Sequence, residues 1–191
     1  VEHAQKILID FPNNNLIVEE FLPNDDITCA YLELGEDILL MSTHYSYKNK
    51  PGKEHIYNFE DRLIIKNENR RRAVVTEKSI QAQIEEMIPR IVETLGIRDI
   101  TRIDGRPDKN GMLRYFDING FPGLGFSGFI SDIVEQSFIF FPSYSKETVY
   151  QALINTVIAS ALMRNNLDVP EMLSTHNLFT LESDLAIRTK K

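Results

Sequence analysis

The sequence predicts an α+β domain in which an antiparallel sheet is covered by helices. Residues 27–34, 38–41 and 102–119 carry apolar residues at strand spacing or in short runs, with turn residues between them. In residues 76–96 and 145–163 the apolar positions instead recur every three or four residues, which is typical of amphipathic helices. Strands that follow one another through short turns favour antiparallel pairing.

Composition limits the possible function classes. The 191 residues, 42% of them hydrophobic, suffice for one substantial core, or for one domain and part of another. A net charge of −7 argues against nucleic acid or a membrane surface as a partner. A single cysteine, Cys29, excludes an internal disulfide and suits a reducing compartment. Without a membrane-spanning apolar run or a signal peptide, we expect a cytoplasmic protein.

The amino-terminal third predicts a meander followed by a long loop. We expect strands at 16–22, 27–34 and 38–41, separated by turns rich in Asn, Asp and Gly. Residues 43–60 are polar and centre on a Pro-Gly pair, so we expect a loop without core residues. A long loop in a compact domain is often a lid over a site.

The first long helix is expected to cover the sheet. Its apolar stripe runs from Ile80 to Leu95, with Thr76 or Ser79 as the N-cap and Gly96 as the terminator. Pro89 lies inside the stripe and predicts a kink or a break. The basic run just before it, 70–72, is interpreted as a solvated face.

Residues 102–119 carry the strongest functional pattern. Arg102 and Asp104 are two apart and leave the same face of a strand. The turn at 108–111 has Asn-Gly at its tip, which predicts a hairpin whose second strand brings Asp117 and Asn119 beside Asp104. Two carboxylates and an amide oxygen suit magnesium holding phosphates, and Arg102 complements phosphate charge.

A glycine-rich loop and two further helices follow the hairpin. Four glycines and a proline lie between 120 and 128, and a loop without side chains exposes main-chain N–H groups to a ligand. We expect a short helix at 129–134, a buried connector at 138–141, and a long helix from the Ser145 N-cap to Met163. Each polar motif alone is more often turn chemistry or a solvated face, but their ordered combination is far rarer.

That ordered combination resembles the catalytic strand pair of the ATP-grasp ligases, and most closely the D-alanyl-D-alanine ligase family. The motifs are Arg-x-Asp, an Asn-Gly hairpin, Asp-x-Asn and a Pro-Gly loop, and the resemblance covers roughly residues 15 to 165. It implies the carboxy-terminal part of an ATP-grasp fold at 1–166, with the lid at about 43–60. Residues 167–191 form a carboxy-terminal extension of unknown role, and an amino-terminal domain of the same protein is an expected partner.

The resemblance also implies a reaction and a set of residues. ATP phosphorylates a carboxylate, and an amine attacks the acyl phosphate to form a dipeptide such as that of D-alanine in cell-wall peptidoglycan biosynthesis. Magnesium or manganese is held by Asp104, Asp117 and Asn119, with Arg102 on the transferring phosphoryl group. The remaining implied contacts are adenine at Glu19 and the Leu22 main chain, ribose at Asp26, phosphate at Lys50, the oxyanion at N–H groups near Gly123, and the second substrate at Ser127 and Gly128.

The sequence departs from the family pattern at three places and leaves alternatives open. Asp117 stands where the family normally has Glu, Pro51 where it commonly has tyrosine, and Gly128 where it has a substrate-binding serine. These departures keep open another ATP-grasp amino-acid or peptide ligase, or a non-catalytic nucleotide-binding domain. Glu19 is alternatively a solvated charge on an edge strand. A homodimer is also left open.

Overall fold

The computed structural model describes residues 2–47, 70–126 and 130–191. In these ranges no helix is long and apolar enough to cross a membrane. The helices are α1 (Glu2–Asp10), α2 (Lys78–Leu95), α3 (Asp132–Phe140), α4 (Lys146–Arg164) and α5 (Glu171–Thr175). The strands are β1 (Ile27–Leu34), β2 (Asp37–Tyr47), β3 (Arg70–Val74), β4 (Ile100–Pro107), β5 (Leu113–Asn119) and β6 (Ile187–Lys190).

The described strands form one antiparallel sheet, as the sequence predicts. Their order is β3-β2-β1-β4-β5, so the most apolar strand, β1, lies at the centre. One edge of β2 is shared by two partners, because residues 37–40 pair with β6 and residues 43–47 pair with β3. The hairpin of β4 and β5 forms the opposite edge and carries the polar motif.

Alternation along β1 divides the core between the two faces of the sheet. Cys29 and Tyr31 point to a layer covered by α2, whose Ile84 and Ile88 are fully buried. Ala30, Leu32, Leu39 and Met41 point to a second layer, where they pack against residues of α3 and α4 such as Val134, Phe140, Val149 and Leu153. The polar site lies at one end of this second face.

Several predicted boundaries are wrong. Residues 16–22 have no regular structure, and Ile17 and Val18 are 77% and 82% exposed, so this apolar segment is not a strand. Strand β2 continues to Tyr47, which places 43–47 in the sheet rather than in a loop. Helix α3 extends through the predicted connector to Phe140. The rest of the predicted lid, 48–60, lies outside the described residues.

The helix ends agree better with the sequence than the first strand does. Gly96 ends α2 in the left-handed conformation, with φ 66°, as a terminating glycine should. The Ser145 hydroxyl accepts a hydrogen bond from the Thr148 N–H and caps α4. The residue before α2, however, is Glu77, so neither predicted N-cap is correct. Pro89 lies inside α2 without breaking it.

Residues 167–191 pack onto the same body. Leu173 and Leu178 are buried, and Leu178 belongs to the core cluster of α3 and α4. Strand β6 extends the edge of β2, and Lys191 next to it forms an ion pair of 2.9 Å with buried Glu33. The segment therefore contributes core residues and a strand to the sheet.

Candidate functional site

The hairpin brings the predicted polar residues into one cluster. Arg102 pairs with Asn119 across β4 and β5, and Asp104 pairs with Asp117. The register shifts just after Asp104, where a bulge lies opposite Gly105. A methyl group added to Gly105 would lie 2.7 Å from the main-chain oxygen across the hairpin, so the close approach requires glycine. The predicted proximity of these four side chains is confirmed.

Arg102 is the hub of this cluster. Its guanidinium lies 2.9 Å from Asp104 Oδ2, 3.5 Å from Asp117 Oδ2 and 3.1 Å from Asp132 Oδ2. The Arg102 and Asp104 side chains are 19% and 18% exposed, whereas Asp117 is 58% exposed. Arg72 also forms an ion pair with Asp132, so two cations face three carboxylates, and the remaining negative charge favours an additional cation at this position.

Asp104 is a largely buried carboxylate of the site with a raised pKa. Burial raises its pKa from 3.8 to about 6, and the nearby Arg102 only partly offsets this effect. Its Oδ2 atom accepts a hydrogen bond from Arg102, and the Thr28 hydroxyl on the neighbouring strand also lowers the pKa, but no donor among the described residues lies in full hydrogen-bond geometry to the buried Oδ1 atom. A buried carboxylate oxygen without a donor is costly, and a metal ligand must be deprotonated. Asp104 is therefore suited to bind a cation.

Asp132 and Arg72 complete the cluster, and sequence reasoning missed both. The Arg72 side chain is 3% exposed, so its interpretation as part of a solvated face is wrong. It lies over the ring of Tyr45, 4.4 Å from the centroid, and forms an ion pair with Asp132. The Tyr45 hydroxyl donates to Asp132 Oδ1 at 2.7 Å. An acidic residue in the first turn of a helix is common, so Asp132 carried no sequence signal.

Three buried side-chain atoms on this face of the sheet have no hydrogen-bond partner within the described ranges of the chain. They are Arg72 Nε, Asp104 Oδ1 and Gln136 Oε1. Gln136 lies one turn after Asp132 in α3, and its amide nitrogen donates to the Thr28 and Met41 carbonyl oxygens, which fixes the amide orientation. Most buried polar groups in proteins are paired, so three exceptions close together indicate a place for bound solvent, an ion or a ligand.

The predicted nucleotide contacts at the amino-terminal end are not gathered into this cluster. Asp26 forms an ion pair of 2.7 Å with buried Arg106, and Arg106 also donates to the Leu22 main-chain oxygen at 2.9 Å. Glu19 is exposed in the irregular segment before β1, so it is not on a strand. Arg106 therefore binds the Asp26 carboxylate, to which the resemblance assigns ribose, and a main-chain group of Leu22, to which it assigns adenine.

The glycine loop folds back onto the start of α3. The Gly125 N–H donates to Ser131 Oγ at 2.9 Å, and the Ser131 N–H donates to the Gly125 oxygen at 3.0 Å. A methyl group on Gly123 would lie 3.0 Å from Ser131 Oγ, which leaves little space for a side chain. Ser127 and Gly128, as well as Lys50, lie outside the described residues.

The residues present fit magnesium or manganese. The described residues contain no group of three carboxylate, histidine or cysteine side chains placed to bind a metal, so such a site also needs the Asn119 amide. Asn119 Oδ1 accepts one hydrogen bond, from the Phe121 N–H at 3.3 Å, and has a second lone pair. With the unpaired Asp104 oxygen and the exposed Asp117 carboxylate, it forms the oxygen-only set that these ions prefer.

Comparisons with known proteins matched a family model and solved structures. A family model described as D-ala D-ala ligase C-terminus matches residues 4–145. The match covers well over half of the chain and includes every described residue of the cluster. No curated protein sequence matches the chain closely enough to count as a relative.

Three solved structures share the fold. They are a D-alanine–D-alanine ligase from Bacillus anthracis complexed with ATP (13% identity, TM-score 0.57), one from Coxiella burnetii (16%, 0.53) and a D-alanyl-alanine synthetase A from Vibrio cholerae (13%, 0.50). The matches cover 86%, 86% and 75% of this chain but only 49%, 40% and 40% of those chains. The predicted fold, the carboxy-terminal part of an ATP-grasp domain, is confirmed.

Proposed function

This chain belongs to the D-ala D-ala ligase C-terminus family, and from that premise we propose that it carries part of the active site of an ATP-dependent carboxylate–amine ligase. The observation that supports this proposal is the cluster of Arg102 with Asp104, Asp117 and Asp132 at one end of the sheet. The Arg102 guanidinium could bind phosphate oxygens, and the buried Asp104 Oδ1 atom, which lacks a partner among the described residues, could bind a metal ion. These are the two kinds of group that a site for a metal–phosphate complex needs.

The proposed reaction has two steps. In the first, an oxygen of a substrate carboxylate attacks the γ-phosphorus of ATP, the new O–P bond forms, and ADP leaves with the electrons of the broken P–O bond. In the second, the amine of another substrate attacks the acyl carbon, the C–O bond to phosphate breaks, and the nitrogen loses its proton. The product is an amide, which for two amino acids is a dipeptide.

The chain's own residues would act in both steps. Magnesium bound by Asp104, Asp117 and Asn119 would neutralise phosphate charge. Arg102 would donate hydrogen bonds to the transferring phosphoryl group, because its guanidinium already lies beside these metal ligands. Main-chain N–H groups near Gly123 would stabilise the tetrahedral oxyanion. Lys50, Ser127 and Gly128 keep their proposed roles in binding phosphate and the second substrate.

The proposed partners follow from this chemistry. We propose small amino-acid substrates such as D-alanine, use in cell-wall precursor synthesis, and action in the cytoplasm. The chain spans half or less of the matched ligase structures, so the rest of an ATP-grasp site would come from residues outside it. We propose residues 1–166 as the ATP-grasp part and 167–191 as an extension that completes the sheet edge.

A second candidate is a domain that keeps the fold without binding nucleotide in the family's way. It is favoured by Arg106, which holds Asp26 and the Leu22 oxygen where ribose and adenine are expected. The two candidates differ in a simple property. A ligase binds magnesium-ATP and releases phosphate when its substrates are present, whereas a non-catalytic domain releases none.

The test uses the complete natural protein that carries these residues and measures phosphate release across panels of amino acids. Asp117→Asn should lower magnesium-dependent turnover by on the order of a hundredfold, because it removes a charged metal ligand. Asp37→Asn is the matched control, since Asp37 is also an exposed aspartate on the sheet that pairs with a cation, at 3.3 Å from Lys190. Turnover of Asp117→Asn equal to that of the control would refute the metal assignment. No nucleotide binding by the natural protein would favour the second candidate.

A further inference from the structure

Asp132 connects two arginines that are far apart in sequence. Its Oδ1 atom accepts a hydrogen bond from Arg72, which lies 60 residues earlier on β3. Its Oδ2 atom accepts a hydrogen bond of 3.1 Å from Nη1 of Arg102 on β4. Its main-chain oxygen also accepts from Arg72, at 2.7 Å. The two carboxylate oxygens are thus divided between two guanidinium groups, and α3 is tied to both strands.

Arg72 makes the Asp132 carboxylate a rigid support. Its guanidinium is buried against the Tyr45 ring and bound by both the side chain and the main chain of Asp132. The Tyr45 hydroxyl adds a further hydrogen bond to Oδ1. The start of α3 favours negative charge at this position through the helix dipole. With Oδ1 fixed by these donors, Oδ2 has a defined position for Arg102.

Arg102 is consequently held from two sides. Asp104 Oδ2 lies 2.9 Å from Nη2 of Arg102, and Asp132 Oδ2 lies 3.1 Å from Nη1. Without Asp132, the described residues would leave Arg102 bound only by its own hairpin, to Asp104 and at 3.5 Å to Asp117. The Nε and Nη2 side of the guanidinium would still be held by Asp104 and Asp117, but Nη1 would have no partner among the described residues to fix the plane of the fork.

We propose that Asp132 is a positioning residue for Arg102: anchored by Arg72, it fixes the guanidinium at the orientation in which Arg102 meets the transferring phosphoryl group. The inference rests on the proposed function for what Arg102 contacts. The orientation itself is a property of the protein without nucleotide. A misplacement of on the order of 1 Å in a catalytic arrangement lowers the rate about a hundredfold.

The first experiment needs no catalysis. Nitrogen-15 labelled arginine in the complete natural protein is observed by NMR, and the Arg102 guanidinium is assigned with Arg102→Lys. We expect slow rotation and protected Nη protons for Arg102 in the natural protein, and averaged, rapidly exchanging signals in Asp132→Asn. Unchanged Arg102 signals in that variant would overturn the inference. Asp132→Ser provides a second variant if the first does not fold.

Asp99→Asn is the matched control. Asp99 also pairs with an arginine and a hydroxyl, at 2.9 Å from Arg164 and 2.9 Å from Ser160, but both of these partners lie on α4 and not in the cluster around Arg102. Its φ of 68° is tolerated by asparagine. The control therefore loses a comparable ion pair without touching Arg102, and its Arg102 signals should match those of the natural protein.

The second experiment compares kinetic constants. With magnesium-ATP and substrates, Asp132→Asn should lower kcat about a hundredfold while the KM for ATP changes little, because Arg102 is displaced only from the transferring group. Asp99→Asn should leave both constants unchanged. An unchanged kcat in Asp132→Asn would overturn the inference. If the natural protein shows no turnover at all, the proposed function fails, and the NMR result alone decides whether Asp132 orients Arg102.

Discussion

Asp104 provides a direct test of the electrostatics of the site. Burial raises its pKa from an ordinary 3.8 to about 6 in the folded protein, and at about 1.4 kcal/mol for each pH unit this corresponds to about 3 kcal/mol. The perturbation is Asp104→Asn, which keeps the shape of the side chain and removes the titration. Both the natural chain and the variant are studied without metal.

The sign follows from which state holds the proton more tightly. Because the folded pKa is the raised one, the folded protein keeps the proton between pH 3.8 and about 6, where the unfolded chain has released it. That stabilisation is complete below pH 3.8 and is lost as the pH rises through about 6. The natural chain should therefore lose about 3 kcal/mol of stability relative to Asp104→Asn between about pH 4 and pH 7.

The assay is urea unfolding followed by circular dichroism at closely spaced pH values. The asparagine variant also loses the charged hydrogen bonds with Arg102, which lowers its free energy of unfolding by a similar amount at every pH. The test therefore uses the pH dependence of the difference in free energy of unfolding, not its absolute value. Asp37→Asn, at an exposed ion pair away from the cluster, is the control variant measured over the same range. Parallel curves for the natural chain and Asp104→Asn, or a carboxyl carbon NMR titration of Asp104 with a midpoint near pH 4, would refute the reasoning.

Three further predictions concern stability at neutral pH, all measured by urea unfolding. Leu178→Ala should cost about 2–5 kcal/mol because Leu178, in the carboxy-terminal segment 167–191, is fully buried in the core cluster of α3 and α4, whereas Ile158→Ala, 43% exposed on α4, should cost much less; equal losses would show that the segment is not part of the core. Gly105→Ala should destabilise by about 1–3 kcal/mol, since its methyl group would lie 2.7 Å from a main-chain oxygen, and Gly120→Ala, which meets nothing within 4 Å, is its control. Arg106→Met should cost about 3–5 kcal/mol because it leaves a largely buried carboxylate unpaired; a loss below about 1 kcal/mol, typical of a surface pair, would contradict the burial.

The hairpin and the helices were predictable because local chemistry determines them. Asn110 and Gly111 define a tight turn, and Gly111 adopts the expected positive φ of 79°. The period-two pattern then sets the register, which is why Asp104 was correctly placed beside Asp117. Helix α4 begins after Ser145, whose hydroxyl caps it, and α2 ends at the left-handed Gly96, both as the sequence predicts.

The wrong secondary-structure predictions concern segments whose conformation depends on tertiary contacts. Residues 16–22 have the apolar content of a strand, but a strand needs a neighbour for its main-chain groups, and in the described structure this segment has no strand partner. The apolar run 138–141 is too short for periodicity to separate a buried helix end from an extended connector. Pro89 removes one N–H from α2, yet the carbonyl group it frees belongs to Glu85 on the exposed face of the helix, where water can solvate it.

Only part of the site could be predicted from the sequence. The hairpin motif spans few residues, so Arg102 and Asp104 could be grouped by spacing alone. Arg72 lies in a basic run that reads as a surface feature, and its burial depends on meeting Asp132, 60 residues later. No local pattern records such a meeting. The prediction therefore recovered the hairpin of β4 and β5 and missed the helix, α3, whose Asp132 contacts it.

The physical cost of this cluster is itself an argument about its role. Replacing buried ion pairs with apolar side chains of similar size is often neutral or stabilising, and the rest of this sheet face is already apolar. Here the charges of Arg72, Arg102, Asp104 and Asp132 are gathered at one end of that face, with a raised pKa and unpaired polar atoms. Stability alone gives no reason for that arrangement, whereas a binding site for a charged ligand requires it. Magnesium together with ATP should therefore stabilise the complete protein against unfolding, and Asp104→Asn should abolish most of that gain.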